Sequence, residues 1–565
     1  MTELMRKFAR WAVPAVCLSI LPIHVIAASA DEMRTETIVE SDGDLTISHV
    51  RLFDPLPAGT PPHPAACDWV DYLRYRPSSG AADPQESDAV ILSQVGAWLG
   101  ASSMDLLARN TIHALEARGK KVEWWSQPRR TSCLFDDTGL RAAADAHDGR
   151  VAFDYYYGDR IVEGHRFAGF QSNADLGWLA DMGLARYVQD MHTVLTRELP
   201  DPNIRRTKAF CGGTSDGGLI AGAFAAWDFG GGDEGAGYNQ CAAFLGIDSL
   251  ISTDPIALES IPVVRQLAQF GSGLPYLAQV AALHAGILPV SFTGIPYVEP
   301  RFYTLLAVLG AAAHYAPDEE TDLHRRLPTD WITEASTRLA FSATYADLLG
   351  GGNALRDYRF TNTALLGMLL GDHTLNVGPM QFSIGALDGG PVIDKTVPWP
   401  DNPNSPLSAV TGQGPRVAPA DKNALYTWRD YDQLDGIDYA PPGSEVVSIR
   451  DLARALAAAP GESVGFLDPY FAPRFLIDIQ SAFTGARLGD LAPIRYDDRI
   501  RQRPILTTVG TKSWIGVAKP LFPADTVYLP NYTHTDVNMG ATHQVGDRPE
   551  AVSATVADFL LRNLR

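Results

Sequence analysis

The run Gly-Thr-Ser-Asp-Gly at residues 213–217 is the feature of this sequence that most constrains its fold. A short apolar stretch precedes the run, and an Ala/Gly-rich stretch at residues 219–227 follows it. In this context Gly-x-Ser-x-Gly predicts a strand that turns sharply into a helix and presents the Ser215 hydroxyl at the turn. Small neighbours suit a strained turn that leaves little room for side chains. A glycine-rich loop remains the alternative, since a chain with 50 Gly contains such pentapeptides by chance.

Segments typical of strands and of helices alternate on both sides of this run. The predicted strands are short apolar segments, and the predicted helices are longer and carry recurring apolar residues. Strands are predicted at 88–93, 121–125, 240–247, 503–510 and 525–530, and helices at 103–118, 173–198 and 548–564. This alternation predicts an α/β fold with a mostly parallel central sheet covered by helices on both faces.

Two regions break the alternation. Residues 127–170, rich in Tyr, Arg and Asp, predict an irregular insertion. Residues 255–490 contain apolar helical runs at 274–288 and 302–315 and a Pro/Gly/Asn-rich stretch at 385–414, which together predict a large, mainly helical inserted cap. The expected division is a first core part at 31–255, a cap at 256–490 and a second core part at 491–565.

The first thirty residues have the pattern of an export signal. A basic start is followed by an apolar run at residues 11–27, and Ala28-Ser29-Ala30 provides a cleavage pattern, so residues 1–30 are predicted to be a signal peptide cleaved near Ala30. The mature chain is therefore expected to be secreted or periplasmic, without a stable membrane anchor. The net charge of −20 argues against nucleic acid as a partner. The sequence is compatible with a homo-oligomer.

Four cysteines remain once the signal peptide is removed. An exported chain can pair them as two disulfides, and we favour Cys67–Cys133 because both residues lie in loop-like sequence. Cys211 and Cys241 lie in neighbouring predicted strands, where they would form either a bridge or two buried thiols. None of the cysteines has the spacing of zinc ligands, and no metal is expected.

A serine nucleophile needs a base and a carboxylate that orients the base. His534 follows the last predicted strand, at the sheet edge where reactive groups gather, and His543 is the alternative. No carboxylate stands at Ser513, just after the strand at 503–510, where an acid is expected. Asp248, at the end of the strand at 240–247, is our candidate. The alternatives are Asp388, Asp394 and Asp536.

An oxyanion formed during acyl transfer needs two backbone N–H donors. Asp216, directly after the serine, is predicted to provide one donor. The loop after the strand at 88–93 is predicted to provide the other through Gly96 or Ala97, and Gln94 offers an additional side-chain donor.

The elbow-like run, the late His534 and the glycine-bearing loop near Gly96 together resemble the α/β-hydrolase superfamily, over roughly residues 85–255 and 495–565. The stretch ending at Asp248 looks like the acid position of pancreatic-type lipases, and the chain is similar to secreted cap-domain hydrolases, a group that includes bacterial zearalenone lactonases. The resemblance implies a serine hydrolase that cleaves a carboxylic ester or lactone through a Ser-His-Asp triad and an acyl-enzyme, without a cofactor.

Aromatic residues in the predicted cap suggest a hydrophobic small-molecule substrate. These residues are Phe270, Tyr276, Phe292, Tyr297, Phe302 and Tyr303. Two other readings stay open: a peptidase or acyltransferase on the same fold, and a non-catalytic binding protein. The missing carboxylate at Ser513 favours the second of these.

Overall fold

The computed structural model describes residues 33–41, 43–253, 276–397, 411–412, 414–516 and 522–564. The predicted signal peptide, the predicted boundary at residue 255, Phe270 and part of the stretch at 385–414 lie outside these residues. The division of the chain into core and cap parts therefore stays a prediction. Among the described residues, no helix combines the length and apolar character that crossing a membrane requires.

Strands and helices alternate along most of the described chain. The strands are β1 Arg34–Ser41, β2 Leu45–Phe53, β3 Trp69–Pro77, β4 Ala89–Gln94, β5 Val122–Gln127, β6 Ile161–Val162, β7 His165–Arg166, β8 Ala209–Thr214, β9 Ala243–Ile247, β10 Arg359–Phe360, β11 Ala386–Asp388, β12 Val392–Asp394, β13 Val417–Pro419, β14 Leu425–Arg429, β15 Ile505–Gly510, β16 Val527–Leu529, β17 His543–Gln544 and β18 Arg548–Pro549. The α-helices are α1 Asp105–Glu116, α2 Thr138–Ala146, α3 Gly149–Tyr157, α4 Leu184–Glu198, α5 Pro202–Lys208, α6 Asp216–Ala226, α7 Tyr276–His284, α8 Pro300–Tyr315, α9 Leu323–Arg326, α10 Trp331–Phe341, α11 Tyr345–Leu348, α12 Asn362–Leu370, α13 Ile449–Ala457, α14 Pro473–Phe483 and α15 Ala551–Asn563.

One large sheet organises the molecule. Its strand order is β1-β2-β3-β5-β4-β8-β9-β15-β16. Within this order, the six neighbouring strands β5, β4, β8, β9, β15 and β16 are parallel to one another. β1, β2 and β3 add an antiparallel edge. This mixed sheet, with the Gly-x-Ser-x-Gly turn after the central strand β8 and helices around it, is the α/β-hydrolase fold. The predicted fold class is confirmed.

Both faces of the sheet are buried, as the near-continuous apolar strands require. In β4, Ala89 and Ile91 belong to a hydrophobic cluster with α1 and α15, whereas Val90 and Leu92 belong to a second cluster with α4 and α6. Helices therefore cover the two faces separately. This arrangement holds the carboxyl ends of β8, β9 and β15 close together at one edge, where the candidate site forms.

Several predicted elements need correction. The edge strands β1, β2 and β3 were not predicted, and the region 127–170 contains α2, α3 and a β6–β7 hairpin rather than irregular structure. The helix predicted at 173–198 is confined to α4, because a 3₁₀ turn at Gly177–Asp181 precedes it. The predicted helix at 302–315 corresponds to α8, and the closing helix corresponds to α15, after the short strand β18.

Among the described residues between β9 and β15, helices α7 to α14 are the main regular elements, with small sheets of two or three strands beside them. Helix α8 lies at the centre of this region, buried along most of its length, and packs against α12, α13 and α3. Because α3 belongs to the insertion at 127–170, that insertion and the helical region form one packed unit.

Two disulfides are present. Cys67–Cys133 is the predicted bridge, and Cys211–Cys241 resolves the alternative left open by the sequence. The second bridge joins β8 to the residue two positions before β9, so it ties together the two strands that precede Ser215 and Asp248.

Candidate active site

Ser215 lies in a strained turn between β8 and α6. Its φ of 53° and ψ of −124° fall where side-chain-bearing residues are rare. Two glycines make the turn possible: a Cβ at Gly213 would lie 2.5 Å from the Gln94 carbonyl oxygen, and one at Gly217 would lie 2.1 Å from the same atom. The helix and the neighbouring strand therefore approach too closely for any other residue. The turn presents the Ser215 side chain at the carboxyl edge of the sheet.

His534 lies beside Ser215, in the turn that follows β16. Its Nε2 is 2.8 Å from Ser215 Oγ. Asp536 holds the turn, because its carboxylate accepts hydrogen bonds from the backbone N–H of Thr533 over 2.6 Å and from the N–H and Oγ of Ser383. Burial raises the pKa of Asp536 to about 7, against the effect of these donors. Asp536 thus fixes the shape of the loop that carries the imidazole.

Asp248 contacts the other nitrogen of the imidazole. Its Oδ2 hydrogen-bonds His534 Nδ1 and accepts a bond from Ser513 Oγ over 2.6 Å. Its Oδ1 accepts the Gly510 N–H over 2.7 Å, and the side chain is fully buried. A buried carboxylate with several donors stays satisfied while it orients a neighbouring group. Ser215, His534 and Asp248 therefore form one hydrogen-bonded line.

The other carboxylates considered for this position do not reach the imidazole. Asp388 pairs with Arg429 over 2.6 Å, and Asp394 is exposed in β12. Asp536 points to Ser383 and Thr533. Within the described part of the chain, Asp248 is the one carboxylate that hydrogen-bonds His534. His543, the alternative base, is exposed in β17.

The loop after β4 lies against Ser215. A Cβ at Gly96 would lie 3.0 Å from Ser215 Cβ, so a larger residue would press on the serine. Among the described residues, neither the Gly96 N–H nor the Ala97 N–H donates a hydrogen bond within the protein. The Gln94 side-chain amide donates one hydrogen bond, to Gln127 Oε1 over 2.6 Å, which uses one of its two N–H groups.

A buried arginine, not anticipated from the sequence, fixes this loop. Arg129 Nη1 donates to the carbonyl oxygens of Gly96 over 2.8 Å and Val95 over 3.3 Å, and Nη2 donates to that of Leu99 over 3.2 Å. Its Nε donates to Asp468 Oδ2 over 3.2 Å, which balances the charge. Arg129 thus binds the carbonyls of the loop, whereas the N–H groups of Gly96 and Ala97 have no acceptor among the described residues.

Aromatic rings surround the loop and the imidazole. Trp98 packs against Phe471 at 4.9 Å between ring centroids, Phe292 at 5.5 Å and Tyr303 at 6.0 Å. Trp514 packs edge-on against His534 at 5.4 Å. Phe292 and Tyr303 were predicted to line the cap. Trp98, Phe471 and Trp514 were not considered, although Trp98 lies within the loop predicted after the strand at 88–93.

The remaining cap aromatics have other contacts. Tyr297 and Phe302 pack against each other at 4.5 Å and are buried, which makes them part of the interior. The Tyr276 hydroxyl accepts a bond from Arg474 over 3.1 Å. Their predicted contact with a substrate stays a prediction.

Asp372, His373 and Glu445 bring potential metal ligands together near the loop after β15. Lys512 Nζ already lies between the two carboxylates, 2.9 Å from Asp372 Oδ2 and 3.0 Å from Glu445 Oε1. An ammonium group therefore occupies the place that a cation would take. The cluster is a buried ion network next to Ser513.

The sequence matches no protein-family model and no curated protein. Solved structures similar to this chain include an epoxide hydrolase from Vigna radiata, with a TM-score of 0.31 and 10% identity over 95% of this chain and 100% of that one. A lipase in an open form has a TM-score of 0.28 and 12% identity over 94% and 99% of the two chains. An acetyl xylan esterase from Paenibacillus sp. R4 has a TM-score of 0.23 and 11% identity, and the match spans 45% of this chain and only 66% of the esterase. Such values do not indicate an activity for this chain, whose fold is established by its own strand order.

Proposed function

We propose that this chain, which has the α/β-hydrolase fold, is a serine hydrolase that cleaves a carboxylic ester or lactone of a hydrophobic substrate. The observation that supports the proposal most directly is that His534 hydrogen-bonds Ser215 Oγ through Nε2 and Asp248 Oδ2 through Nδ1. Serine, imidazole and carboxylate in this order are the parts that activate a serine hydroxyl for attack on an acyl carbon.

In the proposed reaction Ser215 Oγ attacks the carbonyl carbon of the ester. His534 Nε2 takes the hydroxyl proton and returns it to the leaving alcohol, which leaves an acyl group on the serine. A water molecule, deprotonated by His534, then attacks the acyl carbon and releases the acid and the free serine. Asp248 keeps the proton of His534 on Nδ1, so that Nε2 is the basic nitrogen.

The negative charge that develops on the carbonyl oxygen needs N–H donors. We assign them to the backbone of Asp216, at the start of α6, and to Gly96 or Ala97. The absence of an acceptor for Gly96 and Ala97 N–H within the described residues supports this assignment, as does the clamp by Arg129 on the opposite side of the loop. The first turn of α6 adds a favourable dipole.

Trp98, Phe292 and Trp514 support an apolar substrate, because they are only partly buried and leave aromatic surface beside the loop at Gly96 and beside His534. Export is proposed from the amino-terminal pattern, and the two disulfides support it, since such bridges persist in oxidising compartments. No cofactor is needed for the reaction. A peptidase or an acyltransferase would use the same groups, and a panel of p-nitrophenyl esters and aminoacyl anilides separates these activities.

The test of the proposal is the intact mass of the protein after treatment with a fluorophosphonate. A single adduct on the natural sequence and none on Ser215→Ala is the expected result, because only an activated serine reacts. An unlabelled natural protein would favour a non-catalytic binding protein instead.

A further inference from the structure

Asp216, the residue after the nucleophile, carries a carboxyl group that the protein leaves unsatisfied. Its Oδ2 is buried and has no hydrogen-bond partner among the described residues. The residue as a whole is only partly buried, as is Ser215 beside it. One oxygen of the carboxyl group is therefore shielded from solvent in a residue that, like Ser215 before it in the chain, keeps some accessible surface.

The charged groups near Asp216 are engaged elsewhere. Arg129 influences it through its charge, but all three guanidinium nitrogens donate to the loop carbonyls or to Asp468. His534 also lies close enough to act on it, yet its two nitrogens contact Ser215 and Asp248. Neither of these two side chains forms a hydrogen bond with Asp216 in the described structure.

An unpaired buried carboxyl group is costly. Shielding such a polar group without a partner destabilises a protein by about 1–3 kcal/mol, so an unpaired carboxyl group beside Ser215 requires an explanation, and a binding role is one. Burial raises the pKa of Asp216, although Arg129 and His534 oppose this shift. A carboxyl group accepts a hydrogen bond when it is ionised and can also donate one when it is protonated, so it suits a hydroxyl partner in either state.

We infer that Asp216 is a specificity-determining residue that binds a hydroxyl group on the acyl portion of the substrate, so that the enzyme prefers hydroxyacyl esters or lactones. This inference rests on the proposed function. The backbone N–H of Asp216 is assigned to the carbonyl oxygen, and the carboxyl group of the same residue is within about 4 Å of that N–H by covalent geometry. It can therefore reach a hydroxyl one or two carbons from the scissile carbonyl.

A hydrogen bond between Asp216 and a substrate hydroxyl discriminates between substrates more strongly than apolar contacts do. A site that contains an unpaired polar group rejects the substrate analogue that lacks the matching hydroxyl, because binding the analogue leaves the group unsatisfied. The aromatic surface around Trp98 would bind the apolar part of either compound equally. Selection for the hydroxyl thus depends on Asp216.

The test compares kcat/KM for p-nitrophenyl butanoate with those for its 2-hydroxy, 3-hydroxy and 3-methoxy derivatives. The natural protein is expected to prefer one hydroxy ester over butanoate and over the methoxy ester by tenfold or more. Asp216→Leu should lose this preference, which is measured as the ratio of kcat/KM for the hydroxy ester to kcat/KM for butanoate within one variant, so that any change in overall activity cancels. Asp216→Asn, which still forms hydrogen bonds, should keep part of it. Asp175→Asn, an exposed aspartate, is the matched control and should behave like the natural protein.

The thermal midpoint gives a second readout. Because the carboxyl group has no protein partner, Asp216→Leu should be as stable as the natural protein or more stable, which a structural carboxylate would not allow. Equal hydroxyl preference in the natural protein and Asp216→Leu would overturn the inference, as would a preference for aminoacyl over hydroxyacyl esters. Fluorophosphonate labelling distinguishes a failure of this inference from a failure of the proposed function. Labelling without a hydroxyl preference rejects only the role of Asp216, whereas a lack of labelling rejects the proposed function.

Discussion

Ser513 donates a hydrogen bond from its Oγ to Asp248 Oδ2 over 2.6 Å. The two residues follow the adjacent parallel strands β15 and β9, respectively. The sequence places no carboxylate after β15, and the serine found there supports the carboxylate of the neighbouring strand instead. Residues that follow both strands therefore hold the carboxylate that hydrogen-bonds His534.

This relationship predicts that a carboxylate introduced at residue 513 can partly replace the carboxylate of Asp248. Asp248→Asn should lower kcat for ester hydrolysis by about 10⁴-fold, because the imidazole would lose its orienting carboxylate. The double variant Asp248→Ala/Ser513→Asp should recover at least tenfold of that loss relative to Asp248→Ala, since the new carboxylate extends from the adjacent strand end. Steady-state kinetics on p-nitrophenyl butanoate measures both effects.

Asp388→Asn is the control, because that carboxylate pairs with Arg429 away from the site. A decrease of less than tenfold in Asp248→Asn would reject Asp248 as the acid.

Gly96→Ala is predicted to impair catalysis more than folding. The added methyl group would lie 3.0 Å from Ser215 Cβ and 3.6 Å from its Oγ, so the nucleophile must shift by a few tenths of an ångström. Displacements of this kind lower kcat by about 10- to 100-fold. Gly177→Ala is the control, since no atom lies within 4 Å of the added Cβ. Similar kcat values for the two variants would show that the loop does not constrain Ser215.

Arg129→Lys is predicted to reduce kcat by about 10²- to 10³-fold with little change in KM, the effect expected when an oxyanion donor is misplaced. A lysine cannot bind the carbonyls of Gly96 and Leu99 and the carboxylate of Asp468 at once. Affinity for an alkyl boronic acid, which forms a tetrahedral adduct, should fall in parallel.

Arg130→Lys is a matched control, because Arg130 is equally buried but pairs with Asp190 and Asp54, away from the loop. Both variants should lose stability, and only Arg129→Lys should lose kcat selectively. Equal losses of kcat in Arg129→Lys and Arg130→Lys would show that Arg129 only stabilises the fold.

The ion network of Asp372, His373, Glu445 and Lys512 predicts a dependence of stability on pH. Burial alone would lower the pKa of His373, but Asp372 and Glu445 outweigh burial and raise it to about 9, against the opposing charge of Lys512. The charged imidazole of His373 therefore stabilises the fold fully below pH 6.5, the pKa of histidine in the unfolded chain. This stabilisation is lost as the pH rises through the folded-state pKa of about 9. The loss is on the order of 3 kcal/mol.

Thermal midpoints between pH 6 and pH 9.5 check this prediction. The midpoint of the natural protein should fall over this range, and that of His373→Gln should change much less. Parallel curves for the two proteins would contradict a charged His373.

Sequence reasoning located the parts of the site that have a local pattern. The turn at Ser215 is specified by the flanking glycines, and His534 and Asp248 stand at the ends of apolar strands, so the three could be chosen from short segments. Asp388, Asp394 and Asp536 could not be set aside in the same way, since only their partners in space distinguish them from Asp248.

The rest of the site depends on long-range contacts. Arg129 holds the loop at Gly96 and pairs with Asp468, 339 positions along the chain, and no local pattern connects these residues. The edge strands β1 to β3 were missed for another reason. β1 is mostly exposed, and β2 and β3 are largely buried but interrupt their apolar residues with polar and charged ones. The three strands therefore lack the continuous apolar runs by which the buried parallel strands were found.

The central claim is that Ser215 becomes acylated during ester hydrolysis. Acid quenching during the first turnover of p-nitrophenyl butanoate, followed by peptide mass mapping, tests it directly. The account predicts a butanoyl group on the peptide that contains Ser215, together with a burst of one p-nitrophenol per protein chain, and neither of these in Ser215→Ala. Hydrolysis at an undiminished rate in Ser215→Ala, or an acyl group on any other residue, would contradict it.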